Sequence, residues 1–335
     1  MPKYSIVLPV RNGGEYIKEC VESILDQTVT DFNLIVLDNC STDGTLEWIT
    51  SIKDSRIQIY PSAKPLSIEE NWGRIPDVAK NKFMTFIGHD DLLDHNFLEV
   101  MDRLINEHPE AGFYQVHSRY IDEKGNKTGS CKPMDEIQNS YQFLAFFLSG
   151  MSELTIGQVM LSDRFDKMNG LPKYPHLLFA DLELWINLIN KRYRAVAMEE
   201  CCSKRIHNSS TTNSSSSLIY YYSFIKLLEY FIKLKQSDVK FAEVFERYGL
   251  QFLAPFSKTI SHHLLRIPLE KRNGINVKGF LNQFKSMLEI LIPNNDFNPD
   301  HNFSIRLASD IDSNILSRKA FLLFKKIYSR PLLHT

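Results

Sequence analysis

The stretch Phe83-Met-Thr-Phe-Ile-Gly-His-Asp-Asp-Leu-Leu93 reads as a buried strand running into two adjacent carboxylates. Phe83–Ile87 is a short apolar run of strand length, and Gly88 interrupts it. Upstream, Tyr4–Val10 is a similar run, β-branched at Ile6, Val7 and Val10 and stopped by Asn12-Gly13-Gly14. Between the two lie a helical pattern at Ile17, Val21, Ile24 and Leu25, a strand at Leu34–Leu37, and a helical face of Leu46, Ile49 and Ile52 that Ser41 or Thr42 could cap. An alternating strand at Arg56–Tyr60 and a helix around Glu69–Ala79 follow. Downstream, Phe97, Val100, Met101 and Leu104 mark another helix, which leads to a strand at Gly112–His117. Such alternation predicts an α/β domain whose mostly parallel sheet is wound by right-handed crossovers. Ligands of these sheets bind beyond the carboxyl ends of the strands. Asp38 closes the second strand and Asp90-Asp91 follow the fourth, so both clusters should face one crevice.

The chain has 335 residues, enough for one large domain with an appendage or two ordinary ones. Its net charge of -1 conceals an asymmetry. Residues 1–209 have a balance of -8, which argues against a nucleic-acid partner, and residues 210–335 have a balance of +7. The five cysteines, Cys20, Cys40, Cys131, Cys201 and Cys202, include no CxxC pair, which favours a reducing compartment. Met1-Pro2-Lys3-Tyr4 leads straight into the strand pattern, so no signal peptide is expected. The longest apolar run, Phe143–Leu148, is far short of the roughly 20 residues that span a bilayer. The expectation is a cytoplasmic protein, with a peripheral place on the inner face of the membrane left open.

Beyond Gly129 the pattern loosens into a buried helix at Phe143–Leu148, a strand at Gly157–Leu161 and a helix at Asp181–Lys191. Ser209–Ser217 is a polar Ser/Thr/Asn tract, followed by helical patterns at Leu218–His263 and Val277–Leu291. The expected organisation is an α/β domain over residues 1–208, a linker over 209–217 and a helical region over 218–335.

Two adjacent carboxylates repel one another unless a cation or a proton holds them, and oxygen ligands of this kind suit Mg²⁺ or Mn²⁺. Taken alone, Asp90-Asp91 fits that reading and equally fits an exposed acidic helix start. Context favours the metal, because Asp38-Asn39 at another strand end could bind a base or ribose. Thr42 and Asp43 read rather as part of a helix cap.

Together, Ser5-Ile-Val-Leu-Pro-Val-Arg-Asn12, Asp38-Asn-Cys-Ser-Thr-Asp-Gly-Thr45 and Ile87-Gly-His-Asp-Asp91 resemble the family-2 glycosyltransferases of GT-A fold. Phe179-Ala-Asp-Leu-Glu-Leu-Trp185 is similar to that family's segment carrying the catalytic base. The resemblance covers about residues 3–208. It implies a GT-A-type, Rossmann-like domain plus a C-terminal helical region. It also implies divalent-metal-dependent transfer of a sugar from a nucleoside-diphosphate sugar, a UDP-sugar before a GDP- or dTDP-sugar. The acceptor would be a glycan or lipid-linked hydroxyl in polysaccharide or lipopolysaccharide synthesis. By the same resemblance Pro9, Asn12 and Asn39 would line the nucleobase pocket, with Asp38 beside them and Arg74 near the donor. Asp90 would meet the ribose, Asp91 would be the principal metal ligand, His207 would reach the metal or diphosphate, and Asp181 would be the base. The chain departs from the family at Gly88 and Asn39, where many members carry Asp, and at Ala180, where the family has Glu. One base with no second carboxylate nucleophile implies a single displacement that inverts the anomeric centre. Two rivals are a GT-A-like nucleotidyltransferase, for which Arg11-Asn-Gly-Gly14 is only a fragment of a phosphate loop, and a non-catalytic sugar-nucleotide-binding scaffold.

Cys201, Cys202 and His207 fit no zinc spacing, and a pair of core thiols is expected. Tyr220–Tyr222, His262-His263 and Trp185 are expected in packing. From Leu316 to Tyr328 a helical wheel places Leu316, Ala320, Leu323, Phe324 and Ile327 on one face and Arg318, Lys319, Lys325, Lys326 and Arg330 on the other. Such a helix either lies in an anionic membrane surface or packs its apolar face on the protein.

Overall fold

The computed structural model describes residues 3–151, 154–207 and 217–328. The chain forms two compact units. The first comprises Met1–Phe143, Ser152–Lys173 and Ala180–His207, and the second Leu144–Met151, Tyr174–Phe179 and Asn208–Thr335.

The first unit is built on one sheet. Its strands are β1 (Tyr4–Val10), β2 (Phe32–Asp38), β3 (Ile57–Ile59), β4 (Phe83–Phe86), β5 (Leu92–Leu93), β6 (Phe113–Ile121), β7 (Lys127–Ser130), β8 (Ile137–Asn139), β9 (Gln158–Leu161) and β10 (Tyr193–Arg205). The order is β3-β2-β1-β4-β9-β6-β10-β5, with β7 on β6 and β8 on β10. β1, β2, β3 and β4 pair in parallel, β9 is antiparallel to both β4 and β6, and β10 is parallel to β6. β6 and β10 therefore run with β1, and all six end at one edge. β1 and β2 are buried along their whole length, as doubly covered parallel strands should be. Pro9 is tolerated in this central strand because the β1–β4 ladder ends at the Val7–Phe86 pair.

The helices of this unit are α1 (Tyr16–Leu25), α2 (Thr45–Ser51), α3 (Ile68–Trp72), α4 (Phe97–Glu107), α5 (Ser140–Leu148, which runs on into the second unit), α6 (Ser162–Lys167) and α7 (Ala180–Ile189). α1 buries Ile17, Cys20, Val21 and Ile24, and α4 buries Phe97, Val100, Met101 and Leu104, the faces their spacing predicts. The helix expected around Glu69–Ala79 is shorter. A capping box between Ser67 and Glu70 starts it, and it ends at Trp72, giving way to a single 3₁₀ turn at Ile75–Asp77 around Pro76. Neither Ser41 nor Thr42 caps α2. Its N-cap is Gly44 in the left-handed region (φ 90°), and Asp43 accepts the Thr45 N–H instead. β10 was not anticipated. Its charged residues Arg194, Glu199, Glu200, Lys204 and Arg205 hide the apolar alternation, and register shifts around Glu200 break the period further.

The second unit is helical: α8 (Ser217–Ser237), α9 (Val239–Val244), a π turn at Phe245–Gly249, α10 (Leu250–Arg266), α11 (Val277–Leu291), α12 (Phe303–Ser313) and α13 (Ile315–Tyr328). Its core is aromatic, with Phe224 stacked on Phe256 at 4.5 Å between ring centroids and Phe231 against Phe245. Tyr220 stacks on the same Phe256 and meets His263 edge-on, the packing role expected of those runs. Of the tract Ser209–Ser217, all but its last residue lies outside the described residues, as does Arg330. No helix among the described residues is long and apolar enough to cross a membrane.

Candidate functional site

The carboxyl edge of the parallel strands is closed by two interlocked turns. After β1, Asn12 takes a left-handed backbone (φ 53°) and its N–H donates to Ser41 Oγ at 2.9 Å, while its Oδ1 accepts the Thr42 N–H at 2.8 Å. Gly13 N–H donates to Thr45 Oγ1 and Gly14 N–H to Asp43 Oδ2. Desolvation is the largest single influence on Asp43, but its hydrogen bonds with Thr45 and Gly14 together outweigh it and hold the carboxyl below the usual carboxylate range. Asn39 is buried and behaves as a strut, its side-chain amide exchanging two hydrogen bonds with the backbone of Leu66. Arg74 donates to the carbonyls of Asp38 and Tyr60 and to Asn71 Oδ1, so it braces the end of β2. Asp38 differs from its neighbours. It is fully buried, one oxygen accepts the Ser41 N–H, and Oδ1 has no hydrogen-bond partner. A buried carboxylate oxygen left unpaired is costly unless something supplies a donor.

The acidic pair sits where β4 ends. Gly88 makes its geometry possible: a Cβ there would lie 2.7 Å from Asp90 Oδ1 and 3.2 Å from Asp91 Oδ2, so both carboxylates converge on the space a side chain would fill. Asp91 is 7% exposed, and its Oδ1 accepts the Arg205 N–H at 3.0 Å. Burial, reinforced by the neighbouring Asp90 charge, pushes its carboxyl up to about 7. Asp90 is more open, and its Oδ2 meets His207 Nε2 at 2.7 Å. The end of β10 thus clasps the pair twice, by Arg205 to Asp91 and by His207 to Asp90. Asp181 lies in the first turn of α7 with its Oδ1 on the Leu182 N–H, and desolvation raises its carboxyl above the ordinary value. In the chain before it, His176, Leu177 and Phe179 all adopt positive φ.

Residues 5–157 match the family described as glycosyl transferase family 2. TuaG of Bacillus subtilis, named for teichuronic acid biosynthesis, is 26% identical over 215 residues, which are 61% of this chain and 78% of that protein. Residues 5–157, a little under half of the chain, carry a glycosyl transferase family 2 domain. The glycosyltransferase GlyG of Streptococcus pneumoniae is 27% identical over 36% of this chain, and the match spans 41% of its length. Among solved structures, S. aureus TarS in complex with UDP-GlcNAc matches with a TM-score of 0.65 at 14% identity, over 97% of this chain and 92% of that one. A mannosyltransferase from Pyrobaculum calidifontis, solved with GDP-Man and Mn²⁺, gives 0.51 at 12% identity, over 97% and 88%. At these identities the structural likeness establishes the GT-A fold.

The glycosyltransferase places several residues at this edge that motif reading passes over. Arg205 is the foremost. Its guanidinium is buried, donates to the Asp90, Asp122 and Glu123 carbonyls, pairs with Glu19 at 2.5 Å and lies over the Tyr16 ring. Tyr16 also packs against the His207 ring. Lys204 contributes positive potential at both Asp91 and Asp181. His89 senses Asp90, His207 and Asp43, although desolvation dominates and lowers its pKa. The sequence clue was the basic end of β10, unreadable until that strand was known to run parallel to β4. Trp185 is core, its ring against Phe113 and Phe143, and Cys201 and Cys202 are buried free thiols.

Among the described residues, no three His, Cys, Asp or Glu side chains converge as a ligand set. Divalent ions in nucleotide sites are commonly held by one or two carboxylates, with substrate phosphates and water filling the rest. Asp90 and Asp91 over Gly88 offer two carboxylates of that kind, and burial and Asp90 disfavour the Asp91 charge more than Lys204 and Arg205 offset.

Proposed function

We propose that this glycosyltransferase carries out inverting, divalent-metal-dependent transfer from a nucleoside-diphosphate sugar, in the cytoplasm, to a glycan or lipid-linked hydroxyl in cell-surface polysaccharide or lipopolysaccharide synthesis. The observation that carries the reading is the convergence of Asp90 and Asp91 over Gly88, clasped by Arg205 and His207 at the strand ends. Asp91, with Asp90 and His207 beside it, would hold Mn²⁺ or Mg²⁺, and the cation would neutralise the diphosphate leaving group. Asp90 would also meet the donor ribose. The unpaired Oδ1 of Asp38 is suited to accept a nucleobase N–H, in a pocket shaped by Pro9, Asn12, Asn39 and Arg74. Uracil, thymine and guanine each offer such an N–H, and a UDP-sugar is the favoured donor because TarS was solved with UDP-GlcNAc.

Asp181 would accept the acceptor hydroxyl's proton as the new glycosidic bond forms. Its raised pKa suits a base that must hold a proton briefly. No further carboxylate is needed for a single displacement, and the product would carry the inverted configuration. The surface-polysaccharide role follows the name of TuaG. The test is donor hydrolysis and transfer with UDP-, GDP- and dTDP-sugars, with and without Mn²⁺. Metal-dependent turnover lost in Asp91→Ala, with an inverted product by NMR, is expected. Metal-independent turnover or a retained configuration would overturn the mechanism.

A further inference from the structure

The last described helix of the second unit leaves an apolar stripe exposed on the side away from its anchor. In α13 Arg318 is the most buried side chain, and Phe321, Leu322 and Lys325 are partly buried on the same side. Arg318 is 3% exposed, its guanidinium 3.1 Å from Asp312 and donating to the Ile267 carbonyl. Asp312 in turn receives Arg272 at 2.9 Å and the N–H of Val277 at 2.8 Å. This buried Arg–Asp–Arg cluster anchors α13 to α12 and to the start of α11, and it corrects the placement of Arg318 on a solvated basic face. At about 100° per residue, Leu316, Ala320, Leu323 and Ile327 fall within roughly 40° of the direction opposite Arg318. That stripe faces outward: Leu316 is 76% exposed, Leu323 59% and Ile327 63%. Lys319 and Lys326 lie on one flank of the stripe, both exposed, and Lys325 lies on the anchored side. No acidic residue follows Asp312 in the sequence.

We propose that this stripe is a docking surface for an anionic lipid bilayer, with α13 lying in the interface plane. An apolar stripe flanked by lysines matches a surface whose headgroups are negative and whose acyl boundary is apolar. The buried ion cluster serves the same end, because it fixes the helix's rotation so that the stripe cannot turn inward. A second copy of this chain is the poorer occupant, since antiparallel stripe-to-stripe contact would bring the Lys319 and Lys326 flanks of the two copies together.

The inference does not depend on the catalytic reading, and its test uses acceptor-free vesicles so that the two stand or fall separately. Full-length protein is floated with phosphatidylcholine vesicles, with and without phosphatidylglycerol, at low and high salt. The expected result is binding to the anionic vesicles at least tenfold tighter than to the neutral ones, weakened by salt. Leu323→Ser with Ile327→Ser should reduce binding by more than about tenfold. Lys319→Gln and Lys326→Gln should each reduce it about fivefold. Both sets leave the Arg318 anchor intact, and circular dichroism with a melting curve confirms folding. No binding to anionic vesicles, or binding unchanged in the apolar variant, overturns the proposal. So does a dimer by light scattering that the apolar variant dissociates while vesicle binding is absent.

Discussion

Asp91 offers the most direct physical test, because the site stores an unfavourable charge when no cation is present. Replacing Asp91 by Asn keeps an Oδ1 acceptor for the Arg205 N–H and removes the buried charge beside Asp90. An ordinary Asp ionises near 3.8, and this one is pushed up to about 7 by burial. That difference corresponds to about 4 kcal/mol, an upper figure, of folding stability that the wild type forgoes once the carboxyl is ionised in both states. The sign follows from the raised value. The native state holds the proton longer, so this group's contribution is present below about pH 4 and lost as pH rises to about 7. Asp91→Asn should therefore match the wild type at pH 4 and gain steadily up to pH 7, then keep that gain. In a unit of this size it amounts to about 8–16 °C in Tm at the upper figure. The assay is thermal and urea unfolding with a chelator present, from pH 4 to 8.5, followed by titration of Mn²⁺ at pH 8. The cation should stabilise the wild type and leave the variant unmoved. Equal or lower stability of Asp91→Asn at pH 8, or an offset independent of pH, would refute the reasoning.

Asp181→Asn should lower kcat by about 10²–10⁴-fold with KM for the donor little changed. In the wild type, kcat should fall as pH drops through the raised Asp181 pKa, and the variant's profile should lose that limb. Asp38→Ala should weaken nucleotide binding by about 10–100-fold in calorimetry, since it removes a buried acceptor whose Oδ1 is unpaired. Gly88→Ala should reduce metal-dependent donor turnover at least tenfold with a small change in Tm, because the added Cβ would sit 2.7 Å from Asp90 Oδ1. Unchanged metal dependence in that variant would show that the carboxylates do not act together.

Much of the first unit was legible because its signals are local. Buried parallel strands such as Tyr4–Val10 and Phe32–Asp38 are continuous apolar runs, and α1 and α4 keep a clean helical period. β10 was not legible, since its pairing with β6 is interrupted by register shifts and its outward positions carry charge. The candidate site divides the same way. Asp38, Asp90 and Asp91 could be found because each follows a readable strand. Arg205 and Lys204 could not, because nothing local distinguishes a strand-end cation at the site from one in solvent. Asn39 and Arg74 read from the sequence as donor-binding residues, and the bonds that make them braces instead reach Leu66 and Tyr60.

By itself the sequence determined the α/β class, the order of the strand-end motifs, and the apolar stripe of the last helix, because periodicity and turn chemistry act over a few residues. Only the tertiary structure decided which carboxylate is buried, which oxygen is unpaired, and which side of α13 faces outward. These depend on partners far away in the chain: Arg205 for Asp91, and Asp312 with the Ile267 carbonyl for Arg318. Burial and hydrogen-bond satisfaction are sums over neighbours brought together by folding, and no local pattern carries them.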